Sequence, residues 1–310
     1  MILDIYAGGA WAHLCTVQHR WLMGQKMRML LGFSFVAAGL LCATSTIGST
    51  LEDIKSSGEL KLAYRADIPP FSSHDRDLQP KGFTIDLCGI IAHDLSELLE
   101  IPDMKVTWVK VTAQDRIAAI ATGRAHLECG GTTITLSRQE TVDFSNLTYV
   151  TGTGLMVWVD GKIETIADLE GRRVTVVAGT TNETVLKDTL AARGINANLR
   201  VVDSHVEALK LLADRKVDAM AGDRATLLGL GYASQGEDDL VITVDMLSFE
   251  PYALPLRRND ADFRLAVNRS LSALYLRGDV GRLWEKWFGP YNVKPTSLLL
   301  TLYRLNSFAE

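Results

Sequence analysis

Apolar positions along this chain switch repeatedly between two periods. Short β-rich runs that read as strands fall at 59–65, 106–111 and 126–129. Between them, segments with apolar positions every three to four residues read as helices, at 85–99 opened by Asp86 and at 116–122 ended by Gly123. A second series follows: strands at 173–178, 199–202 and 217–221, and helices at 183–193 (ended by Gly194) and 206–213. Strands alternating with helices predict parallel sheets covered by helices, an α/β architecture. The run 149–159, with Gly152 and Gly154, suits a strand crossing from one lobe to the other, and 241–256 offers a second crossing. Helices at 262–276 and 280–288 then return to the first lobe. The expected division is 49–152 with 250–294 for lobe 1, 153–249 for lobe 2, and 295–310 as a tail to which no order is assigned. Two α/β lobes joined by two crossings place a ligand cleft between them, lined by loops at strand carboxyl ends, and allow hinge closure.

The first 48 residues differ from the rest. Lys26 and Arg28 lead into the apolar run 30–43, too short to span a bilayer and followed by small residues, the pattern of a cleavable signal peptide. The expected mature chain begins near Ser49 and is exported to the periplasm. Composition changes the picture only by exclusion. With 310 residues, 47% hydrophobic, the chain can bury sizeable cores, and its formal net charge of −5 lacks the basic excess that nucleic-acid binding requires. The six His and four Cys show no metal-ligand spacing and no phosphate-cradling loop is present, so neither metal nor cofactor is expected. Of the cysteines, Cys88 and Cys129 lie beyond the leader; an oxidising compartment would let them pair, but two buried free thiols are the favoured reading.

A series of short motifs then falls in one order: Gly82-Phe83-Thr84-Ile85-Asp86-Leu87-Cys88, Gln114-Asp115-Arg116, Glu128-Cys129-Gly130-Gly131-Thr132-Thr133, Ser137-Arg138-Gln139, Asp143-Phe144-Ser145, Asp168-Leu169-Glu170-Gly171, Gly179-Thr180-Thr181-Asn182-Glu183, and Leu283-Trp284-Glu285-Lys286-Trp287-Phe288. Each is weak alone. In this order and spacing, over about 51–291, they resemble the periplasmic solute-binding proteins of polar amino-acid ABC transporters, closest to the glutamate/aspartate-binding branch. The resemblance implies a two-lobed type II periplasmic-binding-protein clamp. It further implies a monomer that binds an amino acid and passes it to an inner-membrane permease with a separate ATPase subunit.

The same resemblance assigns residues. Arg138 matches the arginine that holds the ligand's α-carboxylate, a task for which a guanidinium fork suits better than a lysine; a surface ion pair is the plain alternative. Thr133 supplies a hydroxyl. Asp223 matches the acceptor of the α-ammonium, with a helix N-cap as the competing reading. Thr180 and Thr181 stand between a strand and a helix, where free N–H groups and hydroxyls meet an anion, although a capping box of Thr180 with Glu183 would look the same. Arg65 and Arg116 match two arginines facing an acidic ligand side chain, and leaving them buried and unpaired would be costly, which disfavours an apolar ligand. His205 matches a ligand-contacting histidine or is simply solvated. Where the branch carries serines, this chain has Ala113 and Gly131, which puts Glu, Asp and amide preference in question. The branch also pairs Cys129 with a cysteine that is replaced near Leu254, so no disulfide is expected. A periplasmic enzyme of the cyclohexadienyl dehydratase kind, with Glu183 as general acid, is the alternative function.

Overall fold

A computed structural model of the protein describes residues 49–233 and 239–309; the signal-peptide reading of 1–48 lies outside them. Two large sheets form. In the first, strands run in the order Lys105–Val111, Glu59–Arg65, Leu127–Glu128, Glu250–Arg257 and Thr132–Thr133, with Val142–Thr151 also paired to Glu250–Arg257. In the second the order is Asn198–Val202, Arg173–Val177, Ala219–Asp223, Thr153–Trp158 and Leu240–Ile242. The centre of each is parallel, and in each the strands that cross between sheets pair antiparallel to their neighbours. The chain passes between sheets twice, at Gly152 and between Ile242 and Glu250, which gives the two-strand hinge of the expected clamp.

Each sheet forms because its strands are apolar on both faces, as strands covered by helices on either side must be. In the second sheet Leu155, Val157, Val174 and Val176 are buried against Leu186 and Leu190. Met156, Val177 and Met220, on the opposite face, pack with Leu212 and Leu227. The first sheet's core joins Leu60, Leu62, Phe71, Phe83, Tyr149 and Tyr252 to the late helices. Trp284 and Phe288 stack on Tyr149 with ring centroids 6.0 and 5.4 Å away, so Val280–Phe288 packs on a strand that leads into the hinge.

The structure differs from the sequence reading in four places. Thr50–Ser57 and Arg224–Ala233 are helices that the periodicity did not reveal, the latter continuous through Gly229 and Gly231. The expected strand at 217–221 runs instead over Ala219–Asp223. The tail is ordered: Ser297–Leu305 is a helix capped by Thr296, with Leu299, Leu302 and Tyr303 buried and the Tyr303 hydroxyl donating to Thr148 O at 3.1 Å. Finally, Cys88 and Cys129 are disulfide-bonded, which corrects the expectation of free thiols. Cys88 sits in the second turn of helix Phe83–Leu98, and Cys129 directly follows the strand Leu127–Glu128 and shares the first sheet's core with that helix; their Cα atoms lie 6.1 Å apart, within disulfide reach.

Candidate functional site

The carboxyl ends of the strands carry the expected site residues to one place. Arg65 ends Glu59–Arg65, where Ser72 fixes its backbone by accepting from its N–H at 3.0 Å and donating to its carbonyl at 2.7 Å. Arg116 opens helix Arg116–Ala121. Thr133 ends Thr132–Thr133, and Arg138 lies in the short helix Leu136–Gln139, whose Thr135 cap accepts from Arg138 N at 3.1 Å. From the second sheet come Thr180 and Thr181 at the start of helix Thr181–Arg193, His205 at the start of His205–Ala213, and Asp223 at the end of Ala219–Asp223, directly before the next helix. Thr180 caps helix Thr181–Arg193, and Asp223 ends its strand.

A cleft of about 510 Å³ is lined by Thr133 and Arg138 from the first lobe and by Gly179, Thr180, Thr181 and Glu183 from the second, with Ser248 and Glu250 between them. The hydroxyls of Thr133 and Thr181 face each other at 3.4 Å across it. Gly179 has φ +71°, and a Cβ there would come within 3.2 Å of Gln114 Cα, so only glycine brings the two loops this close. The Arg138 guanidinium donates to Thr133 O at 2.7 Å. Thr181 donates to Glu250 Oε2 at 2.7 Å. Thr180 is committed locally: its hydroxyl donates to Val177 O at 2.7 Å and accepts from Glu183 N at 3.3 Å.

The remaining predicted residues are buried: Arg65, Arg116 and His205 at 3% exposure and Asp223 at 8%. Arg116 donates to Thr132 Oγ1 at 2.8 Å, to Ala113 O, and across the lobes to Gly179 O at 3.4 Å. Burial, with the positive potential of Arg138 and Arg65, pushes Arg116 down to about 9. A bound anion beside Arg116 would relieve this cost. Burial, reinforced by Glu250, pushes Asp223 up to about 7, and its Oδ1 has no hydrogen-bond partner among the described residues.

Sequence reasoning missed three carboxylates. Glu128 is fully buried, both its oxygens lack partners among the described residues, and burial pushes it upward. Glu250 accepts from Thr181 and, at 2.6 Å, from Ser248. Asp67 forks onto Arg65, with Nε–Oδ1 3.1, Nη2–Oδ1 2.9 and Nη2–Oδ2 3.0 Å. The premise that Arg65 is a buried unpaired cation is therefore corrected: its counter-ion is built into the chain two residues away. An extended Arg-x-Asp puts both side chains on one face, and this was the available signal. Gly131, read as a lost hydroxyl, has its space taken: a Cβ there would lie 2.8 Å from the Tyr252 ring.

The sequence profile of the bacterial extracellular solute-binding proteins, family 3, matches residues 60–290. The chain belongs to this family. Among relatives of this family 3 solute-binding protein, the L-glutamate/L-aspartate-binding protein of Pseudomonas aeruginosa is 33% identical over 257 residues, covering 82% of this chain and 85% of the relative. The glutamate/aspartate import solute-binding protein of Salmonella typhimurium is 28% identical over 260 residues, covering 84% and 86%. The crystal structure of the ancestral amino acid-binding protein AncCDT-1, a precursor of cyclohexadienyl dehydratase, matches with a TM-score of 0.67 at 31% identity, over 78% of this chain and 100% of that one. Both curated relatives are named as binding proteins. No helix among the described residues is long and apolar enough to cross a membrane.

Proposed function

We propose that this family 3 protein is the periplasmic substrate-binding subunit of an ABC importer. It takes an acidic or polar L-amino acid, glutamate or aspartate by preference, and delivers it to a membrane permease whose ATPase is a separate subunit. The observation that carries the reading is the placement of opposite charges on the two lobes: Arg138 and Arg116 on the first, and Asp223, with an unpartnered Oδ1, on the second. A zwitterion bridges them, its carboxylate on Arg138, Thr133 and Thr181 and its ammonium on Asp223. A ligand favours the closed clamp only through contacts made to both lobes at once. Arg116 then serves the ligand's side chain. The names of the two curated relatives support the same ligand class.

The dehydratase alternative loses its general acid. Glu183 accepts from Lys187 Nζ at 2.6 Å and from Gly179 N at 3.0 Å. The Lys187 ammonium chiefly holds its carboxyl below the usual range, so it carries no proton to give near neutral pH.

Two outcomes test the reading. Arg116→Ala weakens L-glutamate at least tenfold more than L-glutamine in calorimetric titration, because a carboxylate loses a charged partner where an amide loses a neutral hydrogen bond; equal losses for both ligands would remove Arg116 from the side-chain role. The second outcome is a pH dependence. The ligand ammonium binds the carboxylate form of Asp223, whose proton leaves at about 7 in the unliganded cleft. Affinity is therefore full above that pH and falls as pH drops through it, by up to roughly tenfold per unit. Titrations between pH 5.5 and 8 should show this fall together with proton release on binding, and Asp223→Asn should flatten the profile.

A further inference from the structure

The Arg65 pair has a feature that reaches across the lobes. Asp67 belongs to the first lobe, in the two-residue strand Asp67–Ile68, yet its Oδ2 also accepts from His205 N at 3.0 Å and meets His205 Nδ1 at 3.1 Å. Arg65 Nη2 stands 3.2 Å from the same ring nitrogen. Burial raises the Asp67 carboxyl, but Arg65 and His205 outweigh it and hold it well below the ordinary range, so it is an anion. His205 is pushed down by burial, and its Nδ1 lies between the Asp67 carboxylate and the Arg65 guanidinium. The carboxylate thus takes the Nε and Nη2 edge of Arg65 and the His205 backbone N–H from the opposite lobe.

We propose that Asp67 is a specificity-determining residue of the cleft: it reserves Arg65 for an internal carboxylate and thereby admits amide side chains alongside acidic ones. This rests on the amino-acid reading above. A free buried arginine is a selective host for a carboxylate, because its charge stays uncompensated with any other ligand. Arg65 is already compensated. A glutamate side chain reaching it must share the guanidinium with Asp67 or displace a buried anion from its bidentate partner, and like charges at that range repel. A glutamine side chain meets a neutral ion pair and brings both donor and acceptor. Of the two arginines matched to the side-chain end, Arg65 carries a bidentate internal carboxylate, whereas the hydrogen bonds of Arg116 go to Thr132, Ala113 O and Gly179 O, which leaves Arg116 as the arginine open to a ligand carboxylate. The ligand class is polar amino acids of the acid and amide kinds together.

The selectivity is a ratio of affinities, so it separates this role from a merely structural one. Calorimetric titration of the ligand-stripped protein with L-glutamate and L-glutamine, for wild type, Asp67→Asn and Asp67→Ser, measures it. Losing the bonds to His205 weakens both ligands alike and cancels in the ratio; freeing Arg65 does not. The wild type is expected to bind glutamine within about tenfold of glutamate, and both variants to shift the ratio toward glutamate by at least about tenfold, a step of one decade in relative affinity. Asp67→Glu, which keeps the anion, should return the ratio toward wild type. Variants that bind with an unchanged ratio overturn the proposal while leaving the amino-acid reading intact. A wild type that rejects glutamine by about a thousandfold also overturns it, even if no variant folds. A wild type that binds no amino acid overturns both.

Discussion

Replacing Arg138 with alanine weakens every L-amino acid, acidic or not, on the order of a hundredfold or more. The side chain lines the cleft with one nitrogen fixed on Thr133 O and its backbone fixed by the Thr135 cap. It is therefore held in place before a ligand arrives, so little side-chain freedom is lost on binding. Removing one partner of a desolvated, hydrogen-bonded charge pair typically costs about 2–5 kcal/mol, or roughly 1.5 to 3.5 decades of affinity. The effect is independent of the ligand's side chain because the α-carboxylate is common to all of them. Arg138→Lys restores the charge without the fork and should recover part of the loss. Calorimetry with L-glutamate and L-glutamine reads both, and a loss confined to acidic ligands would move Arg138 from the α-carboxylate to the side-chain end.

Removing the Cys88–Cys129 bond lowers stability by about 4 kcal/mol on loop-entropy grounds. The bond closes a segment of 41 residues that includes most of helix Phe83–Leu98, the edge strand Lys105–Val111 and the helix carrying Arg116. Without it the unfolded chain regains the freedom of that whole segment. At roughly 2–4 °C per kcal/mol for a chain of this size, the double variant Cys88→Ala/Cys129→Ala should melt roughly 8–16 °C below wild type. Wild type with a reductant should converge on the variant, and a shift of a degree or less would mean that the bond constrains little. The disulfide lies one residue from Glu128 in the floor of the site, so it also joins the first lobe's binding loop to its major helix.

Alternation and helical periodicity made most of the scaffold legible. Glu59–Arg65 has the expected bounds, pairing along its whole length with Lys105–Val111, and Thr181–Arg193 ends where Gly194 in the left-handed conformation stops it. The helix Arg224–Ala233 was hidden because Leu-Leu-Gly-Leu-Gly shows neither period, and its order comes from packing between the second sheet and the loop at Pro69. The tail helix does carry a stripe, with Ser297, Thr301 and Arg304 on one face and the buried Leu299, Leu302 and Tyr303 on another, but the sequence reading assigned it no order. Cysteine pairing depends on which strand the helix Phe83–Leu98 crosses, and spacing alone does not fix that. In the site, the motif order picked out Thr133, Arg138, Thr180 and Thr181, which line one cleft. The charge balance was legible only in the Arg65-x-Asp67 spacing; Glu128 and Glu250 are carboxylates whose meaning comes from neighbours distant in sequence.

The central claim is that one cleft holds an amino acid by opposite charges on its two lobes. Its most direct test is a calorimetric titration, at pH 7.5, of protein unfolded and refolded to strip carried-over ligand, against L-glutamate, L-aspartate, L-glutamine and L-leucine. The account predicts one site per chain, with the acidic pair tightest and leucine weaker than glutamate by at least about a hundredfold, or roughly 2.7 kcal/mol. Heat with leucine equal to that with glutamate, or no heat with any of the four, would contradict it.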